Sequence, residues 1–98
     1  MLVEDEQQQR EALSMLLEME GYEVLTADSA EKALEMLKDA RPDMIVTDVK
    51  LPGTDGFAFY DLVRENKNLG AIPFLFITGH SDPASMARVK KLGALGYI

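Results

Sequence analysis

Cysteine is absent from this chain of 98 residues, so no disulfide can staple a domain small enough for its core to be marginal. With no signal-peptide pattern either, the chain suits a reducing cytoplasm. Long apolar runs are also missing. The longest stretches, such as Ala71 to Thr78, have the length of a strand and fall short of a membrane span. Basic residues are scarce: 10 Lys and Arg against 17 Asp and Glu leave a formal charge of −7. That balance argues against a nucleic-acid surface, which needs clustered Lys and Arg. It suits a site that gathers carboxylates around a metal ion, although solubility alone also explains an acidic chain. What remains is enough for one domain and too little for two. A hydrophobic fraction of 47% permits a real core.

Apolar Leu2 and Val3 stop at Glu4, Asp5 and Glu6, as at the end of a short buried strand. Gln7 to Glu20 is free of Gly and Pro and rich in helix formers. Ala12, Met15, Leu16 and Met19 recur at helical spacing and predict an apolar face. Gly21 ends that helix, and Tyr22 to Thr26 reads as a second strand. Asp28, Ser29 and Glu31 mark the next helix start, with Asp28 and Glu31 spaced as in a capping box. Its apolar stripe is Ala30, Ala33, Leu34 and Leu37, and Arg41 and Pro42 break it. Met44 to Thr47 is a continuous apolar strand, the pattern of a sheet covered on both faces.

Lys50 to Gly56 is a turn-rich loop, followed by a helix containing Phe59, Leu62 and Val63 that runs to about Asn66. Pro73 to Thr78 is a fourth buried strand. Ser81, Asp82 and Pro83 start a helix that reaches about Leu92, and Tyr97 and Ile98 open a fifth strand. Alternating strands and helices with short connections predict a parallel α/β sheet with helices on both faces. Ligands in such sheets bind beyond the carboxyl ends of the strands, so chemistry is expected just after Val3, Thr47 and Thr78.

Glu4 and Asp5 follow the first strand, Asp48 ends the third, and Thr78 with Gly79 ends the fourth. Each has an ordinary explanation: acidic residues cap helices, Asp is common in loops, and Thr favours strands. Together they place three carboxylates and a hydroxyl on one rim. Two unit charges about 5 Å apart repel by roughly 3 kcal/mol at an effective dielectric near 20, so a cation or a proton is needed. Oxygen ligands without His or Cys select a hard ion, Mg²⁺ before Zn²⁺. A carboxylate held at such an ion can attack phosphorus and become an acyl phosphate. Thr78 could donate a hydrogen bond to the new phosphoryl oxygens.

With these residues in place, the chain resembles a response-regulator receiver domain along essentially its whole length, 1–98. The matching segments are Val3 to Glu6, Pro42 to Gly56, Ile72 to Gly79 and Leu92 to Ile98. The loop Asp48-x-x-Leu51-Pro52-Gly53-x-Asp55-Gly56 is the specific part; an acidic pair near the start is weak alone. The resemblance implies a flavodoxin-like doubly wound sheet of strand order 2-1-3-4-5. It implies that Asp48 is the phosphoacceptor, that Asp5 binds Mg²⁺ directly, and that Glu4 binds it mainly through water. Lys50 would add its backbone carbonyl. Thr78 would move toward the phosphoryl group, Gly79 would leave it accessible, and Tyr97 would be the aromatic that swings inward on activation. The phosphoryl donor would be the phosphohistidine of a sensor histidine kinase or a phosphotransfer domain. Output would pass to an effector domain or a homodimer through the region after Gly79. Such a protein is a cytoplasmic signalling domain rather than an enzyme.

The family usually carries a Lys at the end of the fifth strand, and Ile98 lies about two residues short of that position. Lys90 and Lys91 fall in the preceding helix. The resemblance therefore leads to the expectation of a domain truncated at both ends, lacking the end of strand 5 and the last helix, with Met1 internal to the first strand. Glu4 also stands where Asp is common. Lys50 and His80 flank the pocket and are expected to tune the phosphoryl lifetime. A phosphatase of the haloacid dehalogenase type wants Asp two residues after the nucleophile, where this chain has Lys50. A dinucleotide fold wants a glycine-rich loop after the first strand, and Glu4 to Gln9 has no glycine. A pseudo-receiver, which keeps the fold as an interaction module without phosphorylation, is the remaining alternative.

Overall fold

The structure is a computed structural model that describes residues 1–77, 83–84, 87–88 and 96–97. Five strands, β1 (Leu2–Val3), β2 (Thr26–Ala27), β3 (Ile45–Asp48), β4 (Phe74–Ile77) and β5 (Gly96–Tyr97), form one sheet of order β2-β1-β3-β4-β5. Every described pairing is parallel. Three helices are described in full: α1 (Gln7–Met19), α2 (Ala30–Met36) and α3 (Gly56–Glu65). Residues 83–84 and 87–88 are helical, within the stretch 81–92 expected to be a helix; the rest of that stretch lies outside the described residues. This is the doubly wound flavodoxin-like sheet, with the strand order expected.

The topology distributes the helices between two faces. The chain moves one way from β1 to β2 and the other way from β2 to β3 and from β3 to β4. Right-handed crossovers then put α1 on one face and α2 and α3 on the other. Register agrees. Val3 pairs with Ala27 and Thr47, and Thr47 with Phe76, so these side chains share a face. Phe76 and Phe74 of that face meet Phe57, Phe59 and Tyr60 of α3 at ring separations of 4.9–5.9 Å. Ala30, Ala33 and Leu37 of the α2 stripe join the same core. The stripe is buried as its spacing foretold, with Leu34 packed against the core's edge.

On the other face the expectation fails. Met15, Leu16 and Met19 of α1 are 64%, 59% and 76% exposed, Ala12 is exposed too, and no residue of the helix is fully buried. The half-buried side is Arg10, Leu13, Ser14 and Leu17, turned about 160° from the predicted stripe, nearly the opposite side of the helix. Leu13 and Leu17 are themselves spaced i, i+4, so periodicity alone offered two stripes. The contact that Arg10 makes at the helix start accompanies the second.

Two boundaries also move. The second strand is Thr26–Ala27, not Tyr22 to Thr26; Tyr22 is 63% exposed and Leu25 40%. The ladder to β1 opens with the bond from Leu2 N to Leu25 O at 2.7 Å and closes with that from Glu4 N to Ala27 O at 3.0 Å, which leaves Tyr22 to Val24 outside it. The N-cap of α2 is Ser29, whose hydroxyl accepts from Lys32 N at 3.1 Å. Glu31 therefore does not close a box with Asp28: its carboxylate crosses to the β3–α3 loop and accepts from Thr54 N at 3.1 Å. The helix ends at Met36, four residues before Ala40. In α3 the predicted Leu62 is exposed at 43%, while Phe59 and Val63 are fully buried.

Candidate functional site

The carboxyl ends of β1 and β3 lie side by side, because Val3 pairs with Thr47. That register brings the residues after Val3 next to Asp48, the last residue of β3. One carboxylate oxygen from each of Glu4, Asp5 and Asp48 lies within 4.8 Å of the other two. Among the described residues this is the group of acidic side chains spaced to share a cation. Asp5 is exposed and Asp48 half-buried. Glu4 is 1% exposed.

Glu4 is the anomaly of the site. Its Oε1 accepts from Glu6 N at 3.3 Å, and its Oε2 is buried without a hydrogen-bond partner. A buried carboxylate oxygen left unpaired is costly. Burial first, and then the negative charge of Asp48 beside it, push the Glu4 carboxyl up from 4.5 to about 7. The charged form is disfavoured by the surroundings as they stand. A cation among these oxygens would satisfy the orphan and remove the repulsion together. The donor set is all oxygen, which fits Mg²⁺.

The loop after Asp48 is closed at several points. Asp48 Oδ1 accepts from Lys50 N at 3.2 Å, and Val49 O accepts from Gly56 N at 2.8 Å. Asp55 caps α3 by accepting from Ala58 N at 2.8 Å. Gly56 packs flat on the strand end: a Cβ there would run into the Asp48 carbonyl oxygen and lie 2.9 Å from Val49 Cα. Gly53 has φ +73°, in the left-handed region, and a Cβ there would stand 3.2 Å from the Glu31 carboxylate oxygens. The Pro-Gly-x-Asp-Gly pattern thus serves a tight return that keeps the Asp48 carboxylate at the rim.

Of the residues expected at the site, Glu4, Asp5 and Asp48 come together, and Lys50 follows directly with its amide on Asp48. Tyr97 lies in β5, paired with Phe76. Thr78, Gly79 and His80 lie outside the described residues. Two residues with contacts to the loops of the site were missed: Arg10, whose guanidinium reaches the β1–α1 turn, and Glu31. Spacing gave a weak signal for Glu31 and assigned it the wrong partner. For Arg10 nothing in the pattern distinguished it from a solvated helix residue. Among the described residues, no helix is long and apolar enough to cross a membrane.

A family model described as the response regulator receiver domain matches residues 1–98. The transcriptional regulatory protein AfsQ1 of Streptomyces coelicolor is 36% identical over the whole chain, which spans 42% of that protein. The phosphate regulon regulatory protein PhoB of Pseudomonas aeruginosa is 32% identical, and the chain spans 43% of it. The chain thus spans less than half the length of these relatives. Among solved structures, the chemotaxis response regulator CheY4 of Vibrio cholerae superposes with a TM-score of 0.87 at 34% identity, covering 98% of this chain and 80% of that one. The signal receiver domain of a histidine kinase from Syntrophus aciditrophicus gives a TM-score of 0.87 at 34% identity, covering 99% and 74%.

Proposed function

This chain belongs to the response regulator receiver domain family, and from that premise we propose that it is switched by transfer of a phosphoryl group to Asp48 from a histidine kinase or a phosphotransfer domain. The observation that carries the reading is the meeting of Glu4, Asp5 and Asp48, with a buried Glu4 oxygen that lacks a partner. Asp5 and Asp48 would hold Mg²⁺, with Glu4 acting mainly through water and the Lys50 carbonyl completing the set. When bound, the ion supplies positive charge for the carboxylates and for the incoming phosphoryl oxygens.

The chain's own part is positioning. The Lys50 amide steadies Asp48 Oδ1, and the Gly56 contact fixes the strand end from which the carboxylate projects. An Asp48 oxygen attacks phosphorus, the P–N bond to the donor imidazole breaks, and the imidazole leaves with the bonding pair. The product, an acyl phosphate, carries about two negative charges where the carboxylate carried one. Thr78, the residue after β4, donates to the phosphoryl oxygens, and that contact biases the segment beyond it together with Tyr97. Partners are the phosphoryl donor and an effector domain or second copy engaged through the region after Gly79. The domain signals; it does not turn over a substrate.

Incubating the protein with acetyl phosphate and Mg²⁺ and measuring the intact mass tests the proposal. A gain of one phosphoryl group is expected in the wild type and none in Asp48→Asn. A wild type that gains no mass with Mg²⁺ present favours the pseudo-receiver instead.

A further inference from the structure

Arg10 lies on α1, half-buried, and its Nη1 donates to the Glu4 carbonyl at 2.9 Å and reaches the Asp5 carbonyl at 3.5 Å. These are main-chain atoms of two of the three residues in the acidic cluster. Glu4 is held from the opposite side as well, since its amide donates to Ala27 O of β2 at 3.0 Å. Strand and helix thus grip the main chain of one residue on both sides of its Cα, and its side chain is left buried beside Asp48 with Oε2 unpartnered. A guanidinium near several carboxylates would ordinarily pair with one of them in the bidentate manner. Among the described residues Arg10 bonds to carbonyls instead, so the carboxylate oxygens stay available.

We infer that Arg10 is a positioning residue for divalent-cation binding: it clamps the β1–α1 turn so that the Glu4 and Asp5 carboxylates are presented toward Asp48. The inference rests on the reading of that cluster as the Mg²⁺ site. Two effects of Arg10 oppose each other, and their signs separate the inference from its rival. As a bare positive charge, Arg10 repels a cation, and removing it tightens Mg²⁺ binding. As a clamp, it preorganises the ligands, and removing it loosens binding; supports of this kind are worth about 10–100-fold in metal affinity.

Isothermal titration of the chain with Mg²⁺ at fixed ionic strength decides between them, using wild type, Arg10→Gln, Arg10→Lys and Asp5→Asn, each checked by circular dichroism for its helical content. The expected result is about tenfold weaker binding in Arg10→Gln. Arg10→Lys keeps the charge without the fork, and about threefold weaker binding is expected there. Unchanged or tighter binding in folded Arg10→Gln overturns the inference; should that variant not fold, wild-type affinity in Arg10→Lys overturns it equally. A wild type that binds no Mg²⁺, or an Asp5→Asn variant that binds as well as wild type, overturns the metal-site reading and this inference with it. Binding lost in Asp5→Asn and unmoved in the Arg10 variants overturns the inference alone.

Discussion

On one face of the sheet, α2 and α3 bury Ala33, Leu37, Phe57, Tyr60 and Val63 against Ala27, Ile45, Phe74 and Phe76. On the other, α1 lies over strands whose Val46, Leu75 and Ile77 remain half-buried, and it contributes no fully buried side chain. Both helical layers come from sequences with good apolar periodicity, so the difference does not arise from composition. It arises from coverage: α2 and α3 touch one another and α3 sets its rings against those of β4, while α1 leans on β1 with a single narrow side. The stability of the molecule is therefore concentrated on the α2/α3 face. The acidic site sits where the faces meet, at the strand ends, beside turns that polar contacts hold from each face: Arg10 from α1 and Glu31 from α2.

The comparison can be broken most directly by emptying the dense face. Phe59 is fully buried and meets Phe74 edge-on at 5.6 Å; Phe59→Ala should cost about 3–5 kcal/mol of unfolding free energy, measured by urea titration. A loss below about 1 kcal/mol would mean that the rings are not where the stability lies.

The boundary between the faces is tested through Glu4. Its carboxyl is raised to about 7 in the folded protein against 4.5 ordinarily, so the native state holds a proton that the unfolded chain has released. Without a divalent ion, the contribution of Glu4 to stability should be full below about pH 4.5 and be lost as pH rises toward about 7, by roughly 3 kcal/mol in all. Mg²⁺ should restore part of the loss at pH 8, since it favours the charged form. In Glu4→Gln the dependence over this window should flatten. Stability that rises across the same window in metal-free wild type would contradict the burial of Glu4.

A smaller effect is expected from Glu31→Ala, which removes the acceptor of Thr54 N. The amide is partly exposed and can turn to water, so about 0.5–1.5 kcal/mol is the expected loss. Faster hydrogen exchange at Thr54 is the sharper readout, and unchanged exchange there would remove Glu31 from the loop. The smallest effect belongs to α1: Met19→Ala, at a side chain 76% exposed, should change stability by less than about 0.5 kcal/mol. A loss of 2 kcal/mol or more, the order expected of a buried Met, would show that the α1 face is covered after all.

Much of this was legible in the residues. The alternation of strands and helices, the α2 stripe and the Asp48 loop could be read because each is local: propensity, a 3.6-residue period, and turn residues at fixed offsets. The failures share a cause. The α1 sequence carries two apolar stripes, and only the packing surface selects one. Glu31 is spaced for a capping box, yet Ser29 offers a hydroxyl at the cap and Thr54 an amide across the groove. Tyr22 has strand propensity, but the pairing with β1 begins only at the Leu25 carbonyl.

By itself, then, the sequence determined the order of elements, the acidic residues at strand ends and the family to which the chain belongs. The tertiary structure decided that Glu4, Asp5 and Asp48 lie within one ion's reach, that Glu4 is the buried member with an unpaired oxygen, and that Arg10 and Glu31 hold the turns around them. The reason is physical. Periodicity says which side chains share a face, but whether that face is covered, and how close Glu4 and Asp48 come across 43 intervening residues, depends on sheet register and packing.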